Sequence, residues 1–492
     1  MITKSYGALV VHPSPGALIA AAMLARDGLS VVVLDEDASD QSVGNFRFQR
    51  HRPPVSGFGE GLLLSRTLKA LKFHPHELQA LRRSKPGLQV ITNRHRLDIP
   101  NSAQGLVDEI AREYPGDFDE LVRVIEVSQA TARSFAEALE TAVEDAGQTG
   151  LFHTFGLKRP TWNPPLPPRD VPTWGEFLDS TNLSTDARIL LAGLLRPLCA
   201  LDVVEDLPLP VAGIHLRAAL DGIYSDPNEE HPFYRMLLRR VRAMRVEVVS
   251  DQLVGFTGGR RKIDGALFEG SDEAVPVEMV ISGGDPEDLL PWLPKGHKAY
   301  HKALSQLAPS HFRYSIFLGV AEEVVPTDLA EQSILLDQDD PGGQAGCLLM
   351  STSPIGSPMA PEGFRALTIS TLLPYCEDGG IPQDLDRVAG AMMDRVKWLM
   401  PFLDRNLELL QVPTSEEATD DNPMALDTTP VAYTPAMPPG EDPVAAGLGV
   451  FLPHRNVFCA GPAAFPALGL GGQALAGRLV ERLGMAGVKK EG

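Results

Sequence analysis

Residues 6–35 read YGALVVHPSPGALIAAAMLARDGLSVVVLD, and the fold turns on this stretch. Ala8 to Val11 is an apolar run of strand length, His12 to Ala17 is a small-residue turn, and Leu18 to Arg26 is an alanine-rich helical segment. Gly28 punctuates it, and Val31 to Leu34 form a second apolar strand that closes on Asp35. A buried strand, a turn into a helix and a second strand ending in an acid make the βαβ unit that holds a dinucleotide. The turn chemistry inside that frame is altered. A G-x-G-x-x-G pattern laid over His12 to Ala17 puts His12 at the first glycine, Ser14 at the second and Ala17, after Gly16, at the third. Only the last is an accepted variant. Side chains at the first two positions crowd the turn and the approach to a pyrophosphate, and Pro13 and Pro15 remove two N–H donors. Pro13 is expected to hold His12 extended, and the histidine reads as lost constraint rather than as a ligand. Asp35 stands where the ribose 2′-OH acceptor belongs.

The remaining bounds are those of an ordinary globular chain. With 492 residues, two or three interleaved domains are expected, and 43% hydrophobic with 22% charged residues fits a folded, water-soluble protein. A net charge of -20 argues against nucleic acid and against electrostatic docking on anionic lipid, while leaving apolar, peripheral membrane contact open. Cys199, Cys347, Cys376 and Cys459 are far apart and read as reduced core residues. His74, His76 and His95 lack the Cys or carboxylate that completes a zinc spacing, so no metal site is expected. Without a signal-peptide pattern or an apolar span, a cytoplasmic location is expected.

Along the chain, Leu62 to Leu81 reads as helix, Leu88 to Ile99 as a half-exposed strand, and Asn101 to Ala146 as long amphipathic helices interrupted at Tyr114 and Pro115. Six prolines around Trp162 make Arg159 to Pro172 an extended connection. Thr185 to Leu201 is a largely apolar helix, buried or lining a cavity. Arg235, Arg239 and Arg240 read as one solvated helix face. The period then changes to short strands at Val246 to Val249, Leu253 to Thr257, Ala266 to Glu269 and Val277 to Ser282, which must join the first sheet. Further strands are expected at Tyr314 to Val320, Ser333 to Leu336, Cys347 to Ser351 and Arg365 to Leu372, helix over Ile381 to Leu403, and loop from Pro413 to Pro443. Asn456 to Ala460 is a last short strand. Gly461 follows it, and Gly469, Gly471 and Gly472 open a helix whose N-terminal N–H groups and dipole suit a phosphate or the electron-rich end of a flavin.

This order of elements resembles the FAD-dependent amine-oxidase-like superfamily, and within it the phytoene desaturase-like (carotenoid dehydrogenase-like) oxidoreductases. The resemblance rests on Ala8 to Asp35, on Phe73-His74-Pro75-His76-Glu77-Leu78 with the strand after it, on Val280 to Pro286, and on Cys459 to Gly477. It implies an α/β fold with a Rossmann-like FAD-binding domain built from discontinuous segments and a second, mixed sheet-plus-helix substrate domain. On that division residues 1–72, 244–290 and 446–492 bind FAD. Residues 73–100 give substrate-domain strands, 101–243 a helical and substrate-domain segment, and 291–445 the rest of the substrate domain.

The resemblance also implies site residues. Ser14, Gly16 and Ala17 would face the pyrophosphate, Asp35 with Glu36 the adenosine ribose, Gly44 the loop after it, and Leu253 the adenine. Gly461, Gly471 and Gly472 would bracket the ribityl chain and the flavin edge, and Gly469 would be a further cofactor-binding position. The departures cluster on this cofactor side. Besides His12 and Ser14, a glycine pair survives only as Val43-Gly44, and a glycine-rich turn is replaced by Asp226-Pro227-Asn228-Glu229-Glu230. The implied activity is an FAD-dependent, desaturase-like oxidation of an apolar, isoprenoid- or lipid-like substrate, with hydride passing to flavin N5 and FAD held weakly or in an altered way. The alternative is a non-catalytic relative that has lost FAD and binds a lipid or a protein partner. No catalytic base is marked by the sequence.

Overall fold

Apolar runs of strand length are what the two large sheets are made of, beside the small β-ladders at residues 41–48 and at 82–83 with 224–225. The computed structural model describes residues 5–35, 41–48, 55–73, 77–78, 81–83, 85–100, 102–146, 171–199, 204–225, 232–294, 297–305, 307–341, 343, 345–376, 379–414, 424–435 and 447–488. The strands in chain order are β1 (Tyr6–Val11), β2 (Val31–Leu34), β3 (Gln41–Val43), β4 (Phe46–Phe48), β5 (Arg82–Arg83), β6 (Leu88–Ile91), β7 (Arg96–Ile99), β8 (Tyr224–Ser225), β9 (Glu247–Val249) and β10 (Leu253–Gly258). They continue with β11 (Ile263–Phe268), β12 (Val275–Ser282), β13 (Leu307–Ala321), β14 (Gln332–Leu336), β15 (Cys347–Thr352), β16 (Phe364–Pro374), β17 (Leu407–Gln411), β18 (Pro430–Pro435) and β19 (Val457–Cys459).

The first sheet joins β1, β2, β12 and β19 in parallel, as the apolar runs predict. Val10 faces Ile281 on one side and Val33 on the other, and Ile281 faces Phe458. β9 extends the sheet beyond β2, and β10–β11 fold back antiparallel onto the first half of β12. β1 and β2 are buried along their whole length, the signature of a parallel sheet covered on both faces. The Pro15–Arg26 helix packs against the C-terminal Gly469–Val488 helix and the Pro232–Ala243 helix. Gly477 lets the first pair close, because a Cβ there would stand 2.5 Å from Gly16 O.

The C-terminal helix is also held by Arg478, which pairs with Glu140 of the Phe118–Asp145 helix. Beside it Glu481 is buried, and its carboxyl is pushed up to about 7, first by desolvation and then by Asp27. A raised native pKa means that the folded state holds the proton longer. The contribution is full below the usual carboxylate range and is lost as pH rises through about 7. A Glu481→Gln variant is expected to lose that dependence and to be about 2 kcal/mol more stable than wild type at pH 8. Parallel pH–stability curves of the two proteins by urea unfolding would refute it.

The second sheet runs β17-β13-β16-β15-β14-β6-β7. Alternation along its strands separates two faces. Phe312, Tyr314, Ile316, Leu318 and Val320 of β13 share one apolar core with the Leu385–Leu399 helix, whereas the buried Arg313, Ser351, Thr368 and Ser370 are polar residues of β13, β15 and β16. The Thr185–Cys199 helix packs on β14 and β15.

Several expectations are revised. Leu88 to Ile99 is a hairpin, β6 and β7, rather than one strand, and β6 is wholly buried where it runs parallel to β14. β18 lies inside the stretch read as loop, because the long β13 leaves an edge free beyond β17 for it to pair. The helix expected over Leu62 to Leu81 is Leu63–Ala70. Arg240 is no solvated residue: its guanidinium lies 4.5 Å from the Phe73 ring centre and pairs with Glu77. Cys376 is exposed, while Cys199 and Cys459 are buried. His74, His76, Asp226 to Glu230 and Arg159 to Asp170 lie outside the described residues. Among the described residues no helix is long and apolar enough to cross a membrane.

Candidate functional site

In an open parallel sheet, ligands bind beyond the carboxyl ends of the strands, and four pieces of chain converge there. The β1–helix turn brings His12 to Gly16, β12 ends in Gly283 and Gly284, β19 ends in Ala460 and Gly461, and the C-terminal helix adds the Gln473 carbonyl. The contacts are close. A Cβ on Gly16 would lie 2.1 Å from Ala460 O, one on Gly283 2.3 Å from His12 O, and one on Gly461 2.3 Å from Gly283 O.

His12 is not extended. Its φ is +47°, in the left-handed region that the first glycine of such a turn occupies, and its ring stacks on Trp292 at 5.0 Å between centroids and 8° between planes. Histidine tolerates this region better than most residues, and the stacking on Trp292 holds it there. The expectation that Pro13 would straighten the turn is therefore corrected. The tight turn is kept, made by a histidine.

Ser14 caps the Pro15–Arg26 helix. Its Oγ accepts from Ala17 N at 3.3 Å and donates to Ala460 O at 3.1 Å. With prolines at 13 and 15 and Ala17 N already capped, the donors this helix start offers a pyrophosphate are the N–H groups of Ser14 and Gly16. Asp35, the ribose acceptor by sequence, is half-buried and engaged by its own chain. Tyr234 Oη donates to its Oδ1 at 3.1 Å, and Arg242 lies 3.6 Å from its Oδ2. Both come from the Pro232–Ala243 helix, almost 200 residues on, which is why sequence reading missed them. Glu36 lies outside the described residues. Gly44 is the β3–β4 hairpin turn with φ +57°, and Leu253 is the buried first residue of β10.

Of the glycines that the resemblance assigns to the flavin, Gly469, Gly471 and Gly472 lie in the first turn of the C-terminal helix and Gly461 packs on Gly283. Gly469 has φ +53° and opens the C-terminal helix, a conformation side chains resist. Gly472 lies against Phe465 O and Gly471 near Leu63. This loop is pinned by a residue that sequence reading did not single out. His215, fully buried on the Leu209–Asp221 helix, bonds through Nε2 to Ala467 O at 2.8 Å. Burial pushes its imidazole below the usual range, so it is neutral at pH 7. The sign of that shift makes its contribution present above pH 6.5 and lost as pH falls below it.

One cavity lies on the polar side of the second sheet. It encloses about 30 Å³ and opens to solvent, with Arg196 and Pro197 of the Thr185–Cys199 helix, Arg313, Cys347, Leu349, Ser370, Thr371 and Leu372 among its lining residues. The helix is apolar and buried as expected, yet its last turn contributes a cation to this wall. Leu198, next in sequence to the lining residue Pro197, has its carbonyl oxygen 3.6 Å from where a Cβ on Gly469 would be.

No family model matches the chain, and no curated protein sequence matches it. Solved structures match over nearly its whole length. An oxidoreductase from Methanosarcina mazei gives a TM-score of 0.57 at 15% identity, covering 96% of this chain and 98% of the other. Cyclohexylamine oxidase from Brevibacterium oxydans IH-35A gives 0.52 at 14% identity, with 99% and 100% covered. Wild-type putrescine oxidase bound to putrescine gives 0.53 at 12%, with 99% and 100% covered. At such identities the likeness establishes the fold alone, a mixed α/β architecture that the chain shares with these three proteins.

Proposed function

We propose that the chain is an FAD-dependent oxidoreductase whose flavin end is conventional and whose phosphate and ribose contacts are rebuilt. The observation that carries this is the Gly469–Gly472 turn, which starts a 20-residue helix against the Pro15–Arg26 helix, inside the crevice at the strand ends of a fold shared with oxidases. A bound flavin supplies hydride acceptance. This chain's residues would do the holding. Gly461 and the N–H groups after Gly469 serve the ring end, Ser14 N and Gly16 N serve the pyrophosphate, and Asp35 serves the ribose once Tyr234 and Arg242 yield it. The sequence phrases from Val280 to Pro286 and from Cys459 to Gly477 support the finer placement among desaturase-like members.

Two observations favour a second reading, a non-catalytic relative without flavin. Asp35 is satisfied by its own chain, and the turn histidine is held by Trp292. Flavin absorbance separates the two, measured as isolated and after incubation with excess FAD, in the wild type and in a His12→Gly, Ser14→Gly double variant. Flavin regained by the wild type supports the oxidoreductase. Flavin seen only in the double variant means that the turn excludes it, and flavin in neither removes the reading. Tyr234→Phe is expected to free one Asp35 oxygen and tighten FAD about fivefold, one hydrogen bond's worth. Unchanged affinity would show that Asp35 has no part in holding the cofactor.

A further inference from the structure

Arg313 is buried on β13 of the second sheet with too few partners among the described residues for its charge. A guanidinium has five N–H donors in a fixed fork. Its neighbours offer two long contacts, Nη1 to Ser370 Oγ at 3.5 Å and Nη2 to Pro197 O at 3.4 Å, and Nε has no acceptor. Arg196 lines the same cavity, donating through Nη1 to Pro341 O, with its own Nε buried and unsatisfied. Among the described residues no carboxylate forms an ion pair with either arginine. Burial draws the Arg313 guanidinium down to about 10, which leaves it charged at neutral pH. A buried cation without a counter-charge is strongly unfavourable, and among the described residues the one acidic group facing Arg313 is the Cys347 thiol on the same wall.

We propose that this cavity binds the carboxylate of a small organic molecule, with Arg313 and Arg196 as its two cationic contacts and the apolar skeleton lying along Pro197, Leu349 and Leu372. The planar fork of a guanidinium matches a carboxylate in two parallel hydrogen bonds. The two guanidinium groups suit the paired oxygens of a carboxylate, and Ser370 and Thr371 add hydroxyls to the same wall. The binding stands on the cavity alone; the role given to it rests on the oxidoreductase reading above. There the carboxylate anchors the substrate, and Leu198, next to the lining residue Pro197, abuts the turn at Gly469.

The full-length protein as purified, with and without added FAD, is titrated with hexanoate, hexanamide and inorganic phosphate by calorimetry and thermal shift. Hexanoate is expected to bind and raise Tm, while hexanamide and phosphate do neither. Arg196→Gln and Arg313→Gln should each weaken hexanoate by about tenfold or more, the loss of one charge-assisted contact. Ligand-free Arg313→Gln should melt no lower than wild type, since an unpaired buried charge has gone; a purely structural arginine would lower it. Equal responses to hexanoate and hexanamide, phosphate binding as tightly as hexanoate, or undiminished hexanoate affinity in Arg196→Gln would each overturn the proposal. Hexanoate binding needs no flavin, so a failed flavin reconstitution leaves this result standing, and a failed titration leaves the flavin test standing.

Discussion

A Leu194→Asp protein is expected to fail to fold. Leu194 is 2% exposed in the middle of the Thr185–Cys199 helix, within the main apolar core. An aspartate there loses the leucine's burial and brings a carboxylate where no cation pairs with it. Together these cost about 4–5 kcal/mol or more, comparable to the whole stability of many domains. Leu194→Met keeps volume and polarity and is expected to lose less than about 1.5 kcal/mol. Urea unfolding followed by circular dichroism reads both. An aspartate variant with the wild-type midpoint and wild-type hexanoate binding would mean that the helix is not packed as described, and the cavity wall it supplies would fall with it.

The frame of the fold was legible because burial on both faces writes itself as uninterrupted apolar runs. Ala8 to Val11, Val31 to Leu34 and Met279 to Ile281 are such runs, and all lie in the parallel part of the first sheet. β18 was not legible. Its backbone pairs with the free edge of β13, and edge pairing needs no apolar pattern in the pairing strand, so Pro430 to Pro435 looked like the loop around it. The hairpin Leu88 to Ile99 was half legible: its residues were read as strand, while the reversal at Thr92 to His95 contains neither glycine nor proline to announce it.

At the site, positions were readable and partners were not. Asp35 sits at the end of β2 as expected, but what its carboxylate does is set by Tyr234 and Arg242, whose placement depends on the Pro232–Ala243 helix docking on the first helix. His215 was invisible for the same reason. A histidine on an apolar helix carries no signal until the Ala467 carbonyl is placed beside it. His12 shows the limit of a local rule. The preference of a residue before proline for extended backbone is outweighed by a strand that must turn at once into a helix and by Trp292 stacked on the ring.

Gly16→Ala is expected to lower stability by about 3 kcal/mol and to abolish whatever flavin affinity the wild type has. Inside a helix the exchange ordinarily gains up to about 1 kcal/mol. At the solvent-facing Gly390 of the Leu385–Leu399 helix, where nothing lies within 4 Å of the added Cβ, a Gly390→Ala protein should show that gain. Gly16 differs in what the methyl meets. It would stand 2.1 Å from Ala460 O and 2.6 Å from Gln473 O, both backbone atoms that no rotamer change can move. Relief requires the Pro15–Arg26 helix to separate from the C-terminal helix. That motion strains the Gly16–Gly477 approach and carries Ser14 and Gly16 away from Gly461, so the two halves of the crevice part together. Urea midpoints of the two alanine variants, read beside their FAD titrations, give the sign in each case. If Gly16→Ala melts with Gly390→Ala, the crevice is looser than these contacts make it, and the rebuilt phosphate cradle proposed for it cannot be right.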